Sequence, residues 1–354
     1  MTAGYRLRVK YIFIIAVMLL IIMEIFLRAF ITMPSTQLFD PDFGYTNTPG
    51  KTLIESMEGY GVNTFNSLGY NDDEPDLKLS RKVFLLGDSY TEALQIDRNK
   101  DYVHLLQQMV SKDNVDIIKF ARDSYTPYFY PLIYNKYQKK FHSDLTVIQL
   151  GSHTISDLYL DYVNVQYNDV GEIVSYKISP NENDKRKESL RFIINNSSLA
   201  YYMIRKYKAV FIRQLERIDK ITSIFKNSNS NINLINTIKH RNKYDRQDNV
   251  KRLKFLLSKI DGPKIVVYIP EPNIFFIKNG MDSLSREIIN ETALASNSVF
   301  LDLTDDFINH YSHSFVLLNG FANSKPAFGH LNENGHVLVA NMLFKTLVNT
   351  RYIY

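Results

Sequence analysis

Apolar and polar positions fall into three regimes along the chain. From Tyr11 to Met23 (YIFIIAVMLLIIM) there is no charge at all, and EIFLRAFITM carries the apolar trend on to Met33. That length of hydrocarbon side chain predicts a bilayer-spanning helix over 11–33. From 34 to 80 the text is turn-rich, with FDPDFGYTNTPG and NTFNSLGYNDDEPDL, which predicts ordered loops and short strands. From 81 onward short apolar runs alternate with helical periodicity. VFLLGDS, VDIIKFA (115–121), LTVIQLG (145–151), KIVVYIP (264–270) and SVFLDLT (298–304) read as strands. YVHLLQQMVSK (102–112), RLKFLLSKI and ENGHVLVANMLFKTLVN read as helices with one apolar face. Strand–helix alternation of this kind predicts a parallel α/β sheet flanked by helices. The stretch from about 160 to 250 breaks the alternation. KESLRFIINNSSLAYYMIRKYKAVFIRQLERIDKITSIF reads as one or two long helices with basic faces, followed by a polar segment, together an insertion between sheet elements.

Composition adds two exclusions. The chain has 354 residues, a formal net charge of +5 and no cysteine, so disulfides and thiolate metal sites are excluded. The basic residues do not gather into one aromatic-laced stripe, which argues against nucleic acid as a partner. Arg6, Arg8 and Lys10 precede the apolar segment, and by the positive-inside rule residues 1–10 face the cytoplasm with the main domain outside it, in a periplasm-like space. A cleavable signal would have a shorter apolar core and a small-residue site, and ITMPSTQ offers none, so the segment reads as an uncleaved anchor. Glu24 and Arg28 interrupt its far end four residues apart, on one helical face, where they can pair.

The candidate chemistry starts at VFLLGDSYTE, where a strand stops abruptly at Gly87-Asp88-Ser89. The strand ends at Ala121 and Gly151 should gather on the same sheet edge, where open α/β sheets bind ligands. GHLNENGH places His330 in a loop just before the closing helix. A serine and a histidine from opposite ends of the chain, meeting at that edge, make a nucleophile and a general base. His330 and His336 are six apart, too far for a helical metal pair, and no metal or cofactor is implied.

With these motifs the sequence resembles the SGNH (GDSL-type) hydrolase superfamily, especially its membrane-anchored envelope members. The resemblance rests on the anchor ending in EIFLR, on DPDFGY and NSLGYNDDEP, on GDSYTEALQI and on HLNENGH. It implies a flavodoxin-like sheet over 81–354, Ser89 as nucleophile, His330 as base and Asp88 as a turn-shaping residue. It also implies an oxyanion hole from the backbone N–H groups of Ser89 and Ala121. Three departures stand out. KFARDSYTP has Ala121 and Ser124 where the family has glycines. LGSHTISD has His153 at the oxyanion asparagine's place and Thr154 at the aspartate's. KPAFGHLN has Ala327 and Phe328 where an aspartate usually precedes the histidine. Asp302, Asp305 and Asp306 are the sequence's candidates for the missing carboxylate. The implied function is an esterase or O-acyltransferase acting on acetyl or other O-acyl esters of an envelope or surface polysaccharide. The altered blocks also support a different reading, a catalytically degenerate domain serving as a binding or assembly subunit beside polysaccharide-assembly proteins. The tyrosines near 125–137 read either as sugar-stacking or as core side chains, and the basic middle helices as either solvated or membrane-facing.

Overall fold

A computed structural model describes residues 3–31, 37–178, 192–193, 196–204, 206–207, 245–272 and 281–353. Five strands form one parallel sheet: β5 (Arg81–Gly87), β6 (Val115–Ala121), β7 (Leu145–Gly151), β10 (Lys264–Ile269) and β11 (Val299–Asp302). Their spatial order is β11-β10-β7-β5-β6. In chain order this is 2-1-3-4-5, the flavodoxin-like arrangement, with the direction of winding reversing beside β5. The strands are continuous apolar runs because both faces are covered. Side-chain alternation then splits each strand between two cores. Phe84 and Leu86 join Phe120, α4 (Phe129–Phe141), α6 (Arg246–Leu257) and α7 (Met281–Ala295) on one face. Val83 and Leu85 join α3 (Tyr102–Met109), α8 (Thr304–Ser314) and α9 (Glu333–Asn349) on the other.

The aromatic stretch after β6 is helical. α4 turns Tyr130, Tyr134, Tyr137 and Phe141 into the first core, where Phe120 stacks on Tyr137 with ring centroids 4.4 Å apart. With Tyr125 and Tyr128 also buried, these rings are core and have no face free to stack on a sugar. The second core holds a buried ion pair. Lys119 Nζ lies 2.5 Å from Asp101 Oδ2, with both side chains essentially inaccessible, while Asp101 Oδ1 caps α3 by accepting from Val103 and His104 N–H. The backbone N–H of Lys119 donates to Asp72, whose carboxyl burial pushes up to about 7. His336 sits in the same region, stacked on Tyr102. Burial first, then the nearby Lys119 charge, lowers its pKa to about 3, so it is a neutral structural histidine.

At the N-terminus α1 (Ala3–Phe26) runs into a π-helical turn at Leu27–Ile31. The segment Arg8–Ile31 is long and apolar enough to cross a membrane. The 34–80 region contains two antiparallel hairpins, β1 (Gln37–Asp40) with β2 (Gly44–Asn47), and β3 (Thr52–Glu55) with β4 (Gly61–Thr64). β3 packs against the π-helical turn. The middle region opens with a third hairpin, β8 (Val163–Tyr167) and β9 (Ile173–Ile178), ahead of the stretch from Lys187 that the sequence predicts as helical. The helical expectation is met at 198–204, and most of the rest of the predicted insertion, 179–191 and 208–244, lies outside the described residues.

Candidate active site

Gly87 ends β5 at the reversal point, and Ser89 opens the short helix α2 (Ser89–Glu92) one residue beyond Asp88. A Cβ on Gly87 would come within 2.0 Å of Thr91 Oγ1, so only glycine lets the chain fold back so tightly onto its own strand. Asp88 is the N-cap, accepting from Tyr90 N–H at 2.8 Å. The elbow is held from β7 as well, since the amide N–H of Asp88 donates to Gln149 Oε1. Ser89 is left half-buried at the sheet edge.

His330 arrives from the other end of the chain. Asn332 caps α9 through the N–H groups of Asn334 and Gly335, and its amide N–H donates to Leu317 O. The residues just before the helix are thereby pinned as a fixed loop. His330 Nε2 lies 2.9 Å from Ser89 Oγ, which brings the two sequence-predicted residues into one hydrogen bond.

The carboxylate on the ring's far side is Glu58, not Asp302, Asp305 or Asp306. Glu58 Oε2 accepts from His330 Nδ1–H at 2.7 Å, and Oε1 accepts from the His330 backbone N–H at 2.7 Å. Asp302 is occupied elsewhere, paired with Arg286 and accepting from Thr304 N–H. Asp305 and Asp306 lie in the first turn of α8.

Glu58 sits in the bend between β3 and β4, and that bend is clamped. Gly59 N–H donates to Asn323 Oδ1, while Asn323 Nδ2 donates to the carbonyls of Ser56 and Gly59. Asn63 Nδ2 donates to the carbonyls of Leu94 and Ile96 just beyond α2. Gly59 (φ +70°) and Gly61 make this approach possible, because a Cβ on either would meet a 94–96 carbonyl at about 2.3–2.4 Å. Gly329 does the same for the acid, since its Cβ would lie 2.0 Å from Glu58 Oε1. Burial opposes charging of His330, but the Glu58 hydrogen bond and charge, with Asp123 and Asp88 nearby, leave its pKa raised above the ordinary value.

His153 follows β7 and starts the short helix α5 (Thr154–Asp157). Its Nε2 is engaged by Asp88 Oδ2 at 2.8 Å. Burial opposes its charge, yet the Asp88 carboxylate outweighs that and raises its pKa to about 9, so the ring is an imidazolium at neutral pH. Asp88 thus shapes the turn and also pairs with His153. Tyr90 lies between the two histidines, its centroid 6.5 Å from His153 and 5.5 Å from His330, and its hydroxyl donates to Gly329 O.

Ala121 ends β6 in register with Gly87, fully buried and without a positive φ, so alanine is tolerated there. Ser124 takes φ +69°, a left-handed conformation that glycine adopts most readily. The turn between them is tethered to α2, as the Asp123 N–H donates to Glu92 Oε2 at 2.6 Å.

This arrangement can do one thing well. A serine hydroxyl can pass its proton to an imidazole whose tautomer is set by a carboxylate on the opposite nitrogen.

No family model matches the chain, and no curated protein matches it. Solved structures do. A member of the lipolytic G-D-S-L family from Veillonella parvula is 12% identical over 76% of this chain and 99% of its own, with a TM-score of 0.42. The acetyl xylan esterase AlAXEase is 15% identical over 75% and 99%, with a TM-score of 0.41. The psychrotrophic esterase EstA from a Pseudoalteromonas species is 9% identical over 77% and 100%, with a TM-score of 0.40. The chain is thus similar, in outline and at low identity, to solved GDSL/SGNH-type esterases.

Proposed function

We propose that this chain is a serine esterase or O-acyltransferase acting on O-acyl esters, with acetyl groups of an envelope or surface polysaccharide as its substrate. α1 holds it in the membrane and the sheet domain lies outside the cytoplasm. The observation that carries the reading is the continuous Ser89–His330–Glu58 chain of hydrogen bonds. Ser89 Oγ attacks the ester carbonyl as His330 Nε2 takes its proton. The tetrahedral oxyanion is held by the backbone N–H of Ser89; the Ala121 N–H, expected to assist, lies on the outer side of edge strand β6 with those of Ile117 and Lys119 and points away from β5. Its collapse expels the alcohol, protonated by His330, and leaves acyl-Ser89. Water or a sugar hydroxyl then gives up its proton to His330 and takes the acyl group. The choice of acetylated polysaccharide draws on the motif resemblance and the apolar helix.

The alternative, an inert binding subunit, rests on the altered blocks at 121–124, at 153–154 and before His330. Glu58 supplies the carboxylate missing from the last of these, and the other two remain in its favour.

The test uses the full chain in detergent with p-nitrophenyl acetate and a fluorophosphonate probe, beside Ser89→Ala and His330→Ala. Wild type should turn over the ester and label, and both variants should fall to background. Equal background in all three proteins, with no labelling of Ser89, would remove the enzymatic reading.

Gly329→Ala is expected to lower kcat/KM by about 10²-fold, because the added methyl pushes Glu58 out of line by the better part of an ångström. The circular dichroism spectrum should stay as in wild type. Unimpaired turnover would show that Glu58 does not need its observed position.

A further inference from the structure

The charged pair between α1 and the π-helical turn that follows it does more than neutralise itself. Arg28 Nε donates to Glu24 Oε1 at 2.7 Å, as the spacing predicts. Glu24 also accepts from Ser198 N–H and Leu199 N–H, both at 2.8 Å, and from Ser197 Oγ at 2.9 Å. Arg28 donates to Asn196 O as well. The carboxylate therefore satisfies the orphan N–H groups that start the 198–204 helical stretch, and the helix start satisfies the carboxylate.

Depth gives this contact its meaning. Tyr11 is the first residue after Lys10, and Glu24 stands thirteen residues further on, about 20 Å along a helix. A hydrocarbon core is about 30 Å thick. A span beginning at Tyr11 therefore places Glu24 roughly 10 Å short of the outer boundary, and whatever touches Glu24 shares that depth. A lone charge there is costly, and a closed set of donors is how it is tolerated. The docked segment is built for that level. Phe192 and Ile193 are 71% and 52% exposed, Met203 and Tyr207 are about half exposed, and Lys206 reaches back to the Tyr202 hydroxyl at 3.0 Å. Exposed apolar side chains beside a Tyr–Lys pair are the composition of a headgroup boundary.

We propose that the described residues 192–193, 196–204 and 206–207 belong to a second bilayer-contacting element, seated in the outer leaflet and locked to the span through Glu24 and Arg28. The inference rests on α1 being the membrane span of the reading above and is independent of the triad's chemistry. The chain has no tryptophan, so single replacements are clean reporters. Phe13→Trp (inside the span, about 3 Å past its start at Tyr11), Phe192→Trp and Leu77→Trp (exposed beside the start of β6) are each reconstituted, as the full chain, in phosphatidylcholine–phosphatidylglycerol vesicles with and without brominated acyl chains. Brominated lipid should reduce emission at positions 13 and 192 roughly twofold and leave position 77 unchanged. Adding Glu24→Ala should restore emission at 192 while 13 stays quenched. Quenching at 13 without quenching at 192 overturns the proposal, and quenching at 192 that survives Glu24→Ala overturns the lock. No quenching at 13 overturns it together with the span, while Ser89 labelling by the fluorophosphonate separately reports the site.

Discussion

Glu58→Gln is expected to cut kcat for p-nitrophenyl acetate by about 10⁴-fold, as the carboxylate-to-amide exchange does in serine proteases. The geometry says why an amide cannot substitute. Both Glu58 oxygens accept, one from the His330 backbone N–H and the other from Nδ1–H. Glutamine has a single acceptor oxygen. If the backbone keeps it, the amide N–H₂ faces Nδ1 and selects the tautomer protonated at Nε2, which cannot accept the Ser89 proton. The pH profile should move as well. His330 works as a base only when neutral, so activity falls as pH drops through its folded pKa. The neighbouring carboxylate raises that pKa, which puts the acid limb above the ordinary histidine range. In Glu58→Gln the limb should shift to lower pH while the plateau drops. A variant within tenfold of wild type, with an unmoved limb, would remove Glu58 from the mechanism.

The second large effect concerns the support beneath the site. Lys119→Met should destabilise the fold by about 3–5 kcal/mol, because it leaves the Asp101 carboxylate buried without its partner. The thermal midpoint should fall on the order of 10 °C. Lys119→Met with Asp101→Asn should recover most of the loss, since the amide still caps α3 and the Asp101 charge is removed along with its partner. A single variant melting with wild type would mean that the interior accommodates the lone charge.

Local signals made much of this legible. The parallel sheet follows from apolar runs of strand length separated by helical periodicity, and Ser89 and His330 follow from where those runs end. The aromatic stretch hid a helix because tyrosines give a weak helical signal, yet positions 130, 133, 134, 137 and 141 do share one face. The β8–β9 hairpin was obscured by the strongly helical text after it. Glu58 was the substantive miss. The acid was sought near the histidine in sequence, in 302–306, whereas it comes from a hairpin whose placement depends on long-range clamps by Asn63 and Asn323. One clue was present in Glu58-Gly59-Tyr60-Gly61, an acid just ahead of two glycines in a region otherwise without a role. Motif position puts His153 at the oxyanion, and the carboxylate one residue beyond the end of β5 engages its Nε2.

The hairpin that bears Glu58 belongs to the polypeptide between the apolar helix and the sheet. A fragment trimmed to the α/β unit at Arg81 would keep nucleophile and base but lose the group that aims them. The smallest piece that keeps the three side chains together therefore starts upstream of Thr52, and what resembles a spacer is part of the site itself.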